Sequence, residues 1–301
     1  MINLEDVNKI YNKLKNTKGG KNADYIPELK KVNPNLYAIS IFTVNGYEYN
    51  IGDYDVEFAI ESCSKVFTLA LALQTFGIKT LKEKIGTHKT HEKFNSINAF
   101  ENDKIHTINS FYNGGAMATT SLLYKKGKTK RQFEDLIVDN MSDFAGKKLH
   151  VDNKVYLSEI TNAEHNLAIA YLLKSYNKFY ADVQMSVDVY TKQCSVMVTS
   201  ADLAVMAATI ANNGINPKTG KKIVDKKYVS YILEHMINSG LYEESDDWFK
   251  SVGFPGKSGV GGLLMIVIPG VMGIGIASPP LNKHGNSVKG IKTAKLISEL
   301  F

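Results

Sequence analysis

Strand-like sequence lies at both ends of this chain and helix-like sequence lies between them, and few folds can accommodate that order. LYAISIFTV at 36–44, Asn45-Gly46 and YEYNIG at 47–52 read as a hairpin, because apolar and β-branched runs flank the Asn-Gly turn that such loops prefer. Towards the other end, KSGVGGLLMIVIP at 257–269 and VMGIGIASPP at 271–280 are short apolar runs broken by glycine and proline. A lone pair of strands is marginal in water, so the two ends are expected to meet in one antiparallel sheet.

Between them, SKVFTLALALQTFG (64–77), GGAMATTSLLYKKG (114–127), AEHNLAIAYLLKSY (163–176) and SADLAVMAATIANNG (200–214) carry helical signals, the first ending at Gly77. MINLEDVNKIYNKL opens the chain as an amphipathic helix with Ile2, Val7, Ile10, Tyr11 and Leu14 on one side, and a helix from about Ser287 to Phe301 closes it. After INPKTGKK the chain is read as returning to strand. The expected fold is α+β: an antiparallel sheet flanked by terminal helices, with a helical lobe inserted after the first hairpin. It forms one domain over 1–301, with 1–60 and 218–301 as the sheet lobe and 61–217 as the helical lobe.

The 301 residues, 44% of them hydrophobic, are enough to bury a full core. The net charge of +6 comes from scattered lysines, as in KKGKTKR at 125–131 and GKKIVDKK at 220–227, which read as solvated loops, so no nucleic-acid partner is expected. Two cysteines, Cys63 and Cys194, are too few for a disulfide framework and suit reduced thiols in a cytoplasm. No secretion pattern is visible at the N-terminus, and the apolar run at 263–277 is interrupted by Pro269 and glycines, so neither export nor a membrane span is expected.

Chemistry enters at ESCSKVF, 61–67. Ser62 and Lys65 stand at i and i+3, which brings a hydroxyl and an amine onto one helix face, as a nucleophile and its base require. A capping serine and a snorkelling lysine have the same spacing, and SxxK arises by chance about once in 300 residues; Ser175 to Lys178 is a second copy. The first copy gains weight from Lys257-Ser258-Gly259, because SxxK followed by a K[ST]G strand is the signature of serine β-lactamases and penicillin-binding proteins. The KTG at 218–220 lies in a turn-like stretch and is set aside. His88 and His91 lack acids or cysteines at ligand spacing, and GGKN at 19–22 is no phosphate loop, so neither a metal nor a cofactor is expected.

DYIPEL (24–29), ESCSKVF, QCSVMV (193–198), DLAVMAATIANNGINP (202–217), GFPGKSGVGG (253–262) and SPPLNKHGNSVKG (278–290) together resemble the glutaminase A family along nearly the whole chain. The resemblance implies hydrolysis of the side-chain amide of L-glutamine to L-glutamate and ammonia, on a serine β-lactamase/penicillin-binding-protein-like fold, without metal or organic cofactor. It also implies a homo-oligomer, dimer or tetramer. By resemblance Ser62 is the nucleophile, Lys65 its base and Tyr190 a further catalytic group. The substrate-binding set is Tyr25, Ser62, Asn113, Glu159, Asn166, Tyr190, Tyr242 and Val260, with the N–H groups of Ser62 and Val260 forming an oxyanion hole. Such a set suits a free amino acid, with Glu159 for the α-ammonium and Asn113, Asn166 and Tyr25 for the α-carboxylate. Proximity to Lys257 and burial are expected to lower the pKa of Lys65.

Two places depart from the family's pattern. Glu61 stands where glutamine often precedes the nucleophile, and NSFYNGGA at 109–116 has Ser110 for Pro and Gly114 for Ala, which is expected to loosen the loop entering Asn113. The rival functions are a β-lactam-reacting enzyme or penicillin sensor, which would need export, and a non-catalytic binding descendant, which would be expected to have lost Ser62 or Lys65.

Overall fold

The two ends of the chain meet in one sheet. The computed structural model describes residues 2–301. Its strands are β1 (Ala38–Thr43), β2 (Glu48–Gly52), β3 (Phe58–Ala59), β4 (His150–Val151), β5 (Val196–Val198), β6 (Gly256–Gly259), β7 (Leu263–Ile268) and β8 (Met272–Ala277). The main sheet has the order β2-β1-β8-β7-β6, with every neighbouring pair antiparallel. Its seam is β1 against β8, where Ile39 faces Ile276 and Ile41 faces Ile274. The first hairpin closes through a three-residue loop, in which Gly46 N–H donates to Thr43 O (3.0 Å) and Gly46 sits at φ 84°. That is a type I turn followed by a left-handed glycine, which matches the twist of the strands.

Alternate residues of the sheet serve different layers. Ile39, Ile41, Ile266, Ile274 and Ile276 share a core with Val7, Ile10 and Leu14 of the helix Leu4–Leu14 and with Ala294 and Ile297 of the helix Val288–Ser298. Both terminal helices thus cover one face, as expected; Met1, included in the first of them by sequence, lies outside the described residues. The opposite face is shaped for close approach. A Cβ at Gly273 would stand 2.2 Å from Ala208 N, and one at Gly275 would stand 2.2 Å from Ser200 O, so glycine is what lets the helix Ser200–Ala211 lie directly on β8. Ser40 and Ser200 join across this contact by a hydroxyl hydrogen bond of 2.8 Å. The same helix turns its other side into the core of the helical lobe, so it links the two layers.

Some elements differ from expectation. The helix beginning at Ser64 breaks at Gly77 but resumes and runs to Lys84. Lys130–Ala145, Asn153–Ile160 and Val183–Cys194 are further helices of the inserted lobe. The return to strand after residue 217 comes later than expected, because Lys226–Ser239 and Ser245–Val252 are helical. Val229, Ile232 and Met236, spaced for one helical face, are buried against the helix Ser64–Lys84. A small sheet, β3-β5-β4, has no counterpart in the sequence reading; it pairs Phe58 with Val198 and His150 with Met197, just before the nucleophile candidate. No helix among the described residues is long and apolar enough to cross a membrane.

Candidate active site

Residues Glu61–Cys63 form a tight 3-10 turn that passes straight into the helix Ser64–Lys84. This places Ser62 at a helix N-terminus, where the backbone dipole favours developing negative charge, and Lys65 one turn deeper. Strand β6 runs against the turn: a Cβ at Gly259 would lie 2.8 Å from Ile60 O, and the Cys63 thiol donates to Lys257 O at 3.3 Å. A pocket of about 220 Å³ opens above Ser62. Tyr25, Ser62, Asn113, Glu159, Asn166, Tyr190, Tyr242 and Val260 all line it, and Lys65 is buried beneath (1% exposed). They arrive from separate elements. Asn113 and Asn166 start the helices Asn113–Leu122 and Glu164–Ser175, Glu159 ends Asn153–Ile160, Tyr190 projects from Val183–Cys194, Tyr242 opens a 3-10 turn and Val260 heads the β6–β7 turn. Tyr25 stands at the rim, 57% exposed.

The Lys65 ammonium donates to Phe111 O (3.0 Å), Asn113 Oδ1 (2.7 Å) and Tyr242 Oη (3.2 Å). Burial brings its pKa down to about 8, against the raising influence of Cys194, Glu61 and Glu159. Asn113 passes the network on, its Nδ2 donating to Asn166 Oδ1 at 3.2 Å while Tyr190 Oη donates to its Oδ1 at 3.4 Å. Tyr242 Oη also faces the Ser62 hydroxyl. The two tyrosines therefore differ: Tyr242 stands between Ser62 and Lys65, whereas Tyr190 meets Asn113 and Cys194.

Lys257 is fully buried, donates to Ser258 O (2.8 Å), and its ammonium lies 4.2 Å from the centre of the Tyr242 ring. Burial, and then the charge of Lys65, hold it well below the usual lysine range. Burial is the larger influence on both lysines, and Lys257 is not among the main influences on Lys65. Glu61 and Tyr242 share one further property: both are non-glycine residues at positive φ, 48° and 55°. Such backbone costs about 1–3 kcal/mol and persists where surrounding structure holds it.

The glutaminase family model matches residues 20–301. The glutaminase of Mycobacterium ulcerans is 46% identical over 281 residues, covering 93% of this chain and 87% of its own, and that of Colwellia psychrerythraea is 44% identical over 289 residues, covering 96% and 92%. The chain belongs to the glutaminase family. Its fold superposes on a solved probable glutaminase, ybaS, with a TM-score of 0.96 at 42% identity (98% of this chain, 95% of that one), and on Mglu in its glutamate form with 0.91 at 34% (97% and 67%). The β-lactamase-like arrangement expected of the family is thus the one present.

Two departures from the glutaminase pattern have structural answers. The loop before Asn113 is pinned rather than loose. Asn109 Oδ1 accepts from Phe111 N (2.8 Å), Asn109 Nδ2 donates to His88 O and Ser239 Oγ, and Thr119 Oγ1 donates to Ser110 Oγ. Alanine at 114 would put its Cβ 2.7 Å from the Phe100 ring, so glycine there accompanies a large neighbour. Glu61 is 3% exposed, and one of its oxygens lies in a group with Glu159 and the Cys194 sulfur, all within 4.8 Å of one another. Burial first, then the facing carboxylate, pushes Glu61 well above the carboxylate range; burial does the same to Glu159, opposed by Lys65. The grouping of Cys194 with these acids left no trace in sequence spacing. Elsewhere, His88 does have an acid partner, Asp103 at 2.5 Å, supplied by a later loop. The second SxxK is inert in geometry, since Ser175 bonds Leu172 O and Lys178 reaches Glu83 O at the surface.

Proposed function

We propose that the protein hydrolyses the side-chain amide of L-glutamine to L-glutamate and ammonia through an acyl-enzyme on Ser62. The observation that carries this reading is the bonding of Lys65. Of its three partners, a backbone carbonyl and an amide oxygen can only accept, whereas the Tyr242 hydroxyl can also donate. When Lys65 is neutral, its lone pair accepts from Tyr242, and Tyr242 accepts from Ser62, so a proton passes from Ser62 to Lys65 in two short steps. Tyr242 is the relay in this reading, and Tyr190 holds Asn113 in place.

Ser62 Oγ then attacks the amide carbon, and the oxyanion is met by the N–H groups of Ser62 and Val260. Lys65 returns the proton through Tyr242 to the leaving nitrogen, ammonia departs, and water repeats the sequence on the γ-glutamyl ester. Glu159 pairs the α-ammonium, whose charge favours the carboxylate form that burial alone opposes. Asn166 and Tyr25 meet the α-carboxylate, while Asn113 positions both Asn166 and Lys65. Mglu has been solved in a glutamate form, in keeping with the product this chemistry gives. Two free buried thiols suit a reducing cytoplasm.

The test is ammonia release from L-glutamine, L-asparagine and a penicillin control. Asparagine is one methylene shorter, so with its α-groups held its amide falls about 1.3–1.5 Å short of Ser62, a misplacement that costs about a hundredfold. Turnover of glutamine at least that much faster, with the penicillin untouched, is expected; equal rates on the two amides would defeat the reading.

A further inference from the structure

We propose that Glu61, Glu159 and Cys194 form a binding site for a thiophilic divalent cation of the zinc class, and that a cation held there closes the substrate pocket. The inference goes beyond the glutaminase reading, because it gives a role to Glu61 and Cys194, which the reaction leaves idle, beside the substrate-binding Glu159. Three donor atoms, two carboxylate oxygens and one sulfur, lie within 4.8 Å of one another. Glu61 Oε1 and Glu159 Oε2 are enclosed and have no hydrogen-bond partner among the described residues, and Glu61 as a whole is 3% exposed. Buried acceptors of this kind call for a donor or a cation.

The donor set selects the cation. A thiolate beside carboxylates suits a borderline-soft ion such as Zn²⁺ and disfavours Mg²⁺ or Ca²⁺, which take all-oxygen shells. Zinc bonds of about 2.0 Å to oxygen and about 2.3 Å to sulfur put tetrahedral donors about 3.3–3.5 Å apart, so the group closes by up to about 1.5 Å on binding. Three protein ligands leave the fourth position open. All three residues line the pocket that holds Ser62, so an ion among them would lie at its wall. The facing cation is Lys65, whose charge Glu61 and Glu159 both feel; a metal ion would take over that role and occupy the carboxylate meant for the α-ammonium.

The probe is Co²⁺ alone, titrated into the intact protein without substrate and followed by absorbance. Binding is expected to give a thiolate-to-cobalt charge-transfer band and the strong d–d bands of a four-coordinate ion. Cys194→Ser removes the charge-transfer band. Even outer-shell partners are worth about 10–100-fold in metal affinity, so Glu61→Gln should weaken Co²⁺ by more than about tenfold. Zn²⁺ should inhibit ammonia release competitively with L-glutamine, with EDTA restoring activity. The wild-type readouts do not depend on whether either variant folds, and the cobalt spectrum needs no turnover, so it stands or falls separately from the glutaminase assignment. No charge-transfer band with wild type, or zinc inhibition that a folded Glu61→Gln leaves unchanged, overturns the proposal.

Discussion

In the proposed mechanism Lys65, with its pKa brought to about 8 by burial, sets how the reaction responds to pH. An ordinary lysine is neutral in about one molecule in 2,500 at pH 7, whereas a pKa of about 8 leaves about one in eleven able to accept the Ser62 proton. The reactive form is the neutral one, so kcat/KM should rise about tenfold per pH unit well below 8 and level off above it. A profile flat from pH 6 to 9 would remove Lys65 as the base. The two tyrosines separate in the same assay. Tyr242→Phe breaks the one donor-capable link to Lys65 among the described residues and should lower kcat by about a hundredfold or more, the scale of a general acid–base contribution, with KM little changed. Tyr190→Phe should act mainly on KM, through Asn113. Interchanged effects would return the relay to Tyr190. Glu159→Gln leaves the ammonium of glutamine poorly compensated, which costs about 2–5 kcal/mol, or about 30-fold to several thousand-fold in kcat/KM. N-acetylglutamine lacks that charge and should be penalised far less; equal losses on the two substrates would make Glu159 a structural residue.

Among the elements, the approach to Asn113 depends on a matched pair from two helices, Gly114 and Phe100. Gly114→Ala should destabilise the protein by about 1–3 kcal/mol through overpacking, read as a lower Tm, and Phe100→Leu should recover much of the loss in the double variant. Additive losses would show that the two do not constrain each other. Sequence and structure agree best where periodicity is long and apolar. The strands at 38–52 and 263–277 and the helix at 200–211 were legible because β-branched runs and an alanine-rich helix leave few alternatives. The helices at 226–239 and 245–252 were not, since their apolar faces are diluted by lysine, glutamate and aspartate, and a preceding turn motif resembles the end of a lobe. Strands of two or three residues, β3 to β5, carry no period to read. Eight residues that the family resemblance had named line one pocket. Glu61 with Cys194, and His88 with Asp103, were hidden because tertiary folding alone brings them together.

Across the molecule, the helix Ser200–Ala211 belongs to both layers, lying on β8 and closing the core of the helical lobe. It covers the glycine-bearing face of β8 and at the same time fills part of the core of the helical lobe. Thermal unfolding should therefore be one transition with equal calorimetric and van't Hoff enthalpies, despite the two lobes; two resolved transitions would mean independent domains. The cleft exists only in this joined form, with Ser62 supplied from the start of the inserted lobe and Val260 from the returning strands. In the proposed mechanism Ser62 and Lys65 act as one nucleophilic unit on glutamine, and the remaining steps depend on that pairing. The decisive experiment is ammonia release from L-glutamine by the wild type, Ser62→Ala, Lys65→Met and the double variant, each checked for an unchanged fold. The expected result is near-complete loss in each single variant and a double variant little worse than either, while Ser175→Ala keeps full activity. Near-normal turnover by folded Ser62→Ala or Lys65→Met would contradict it.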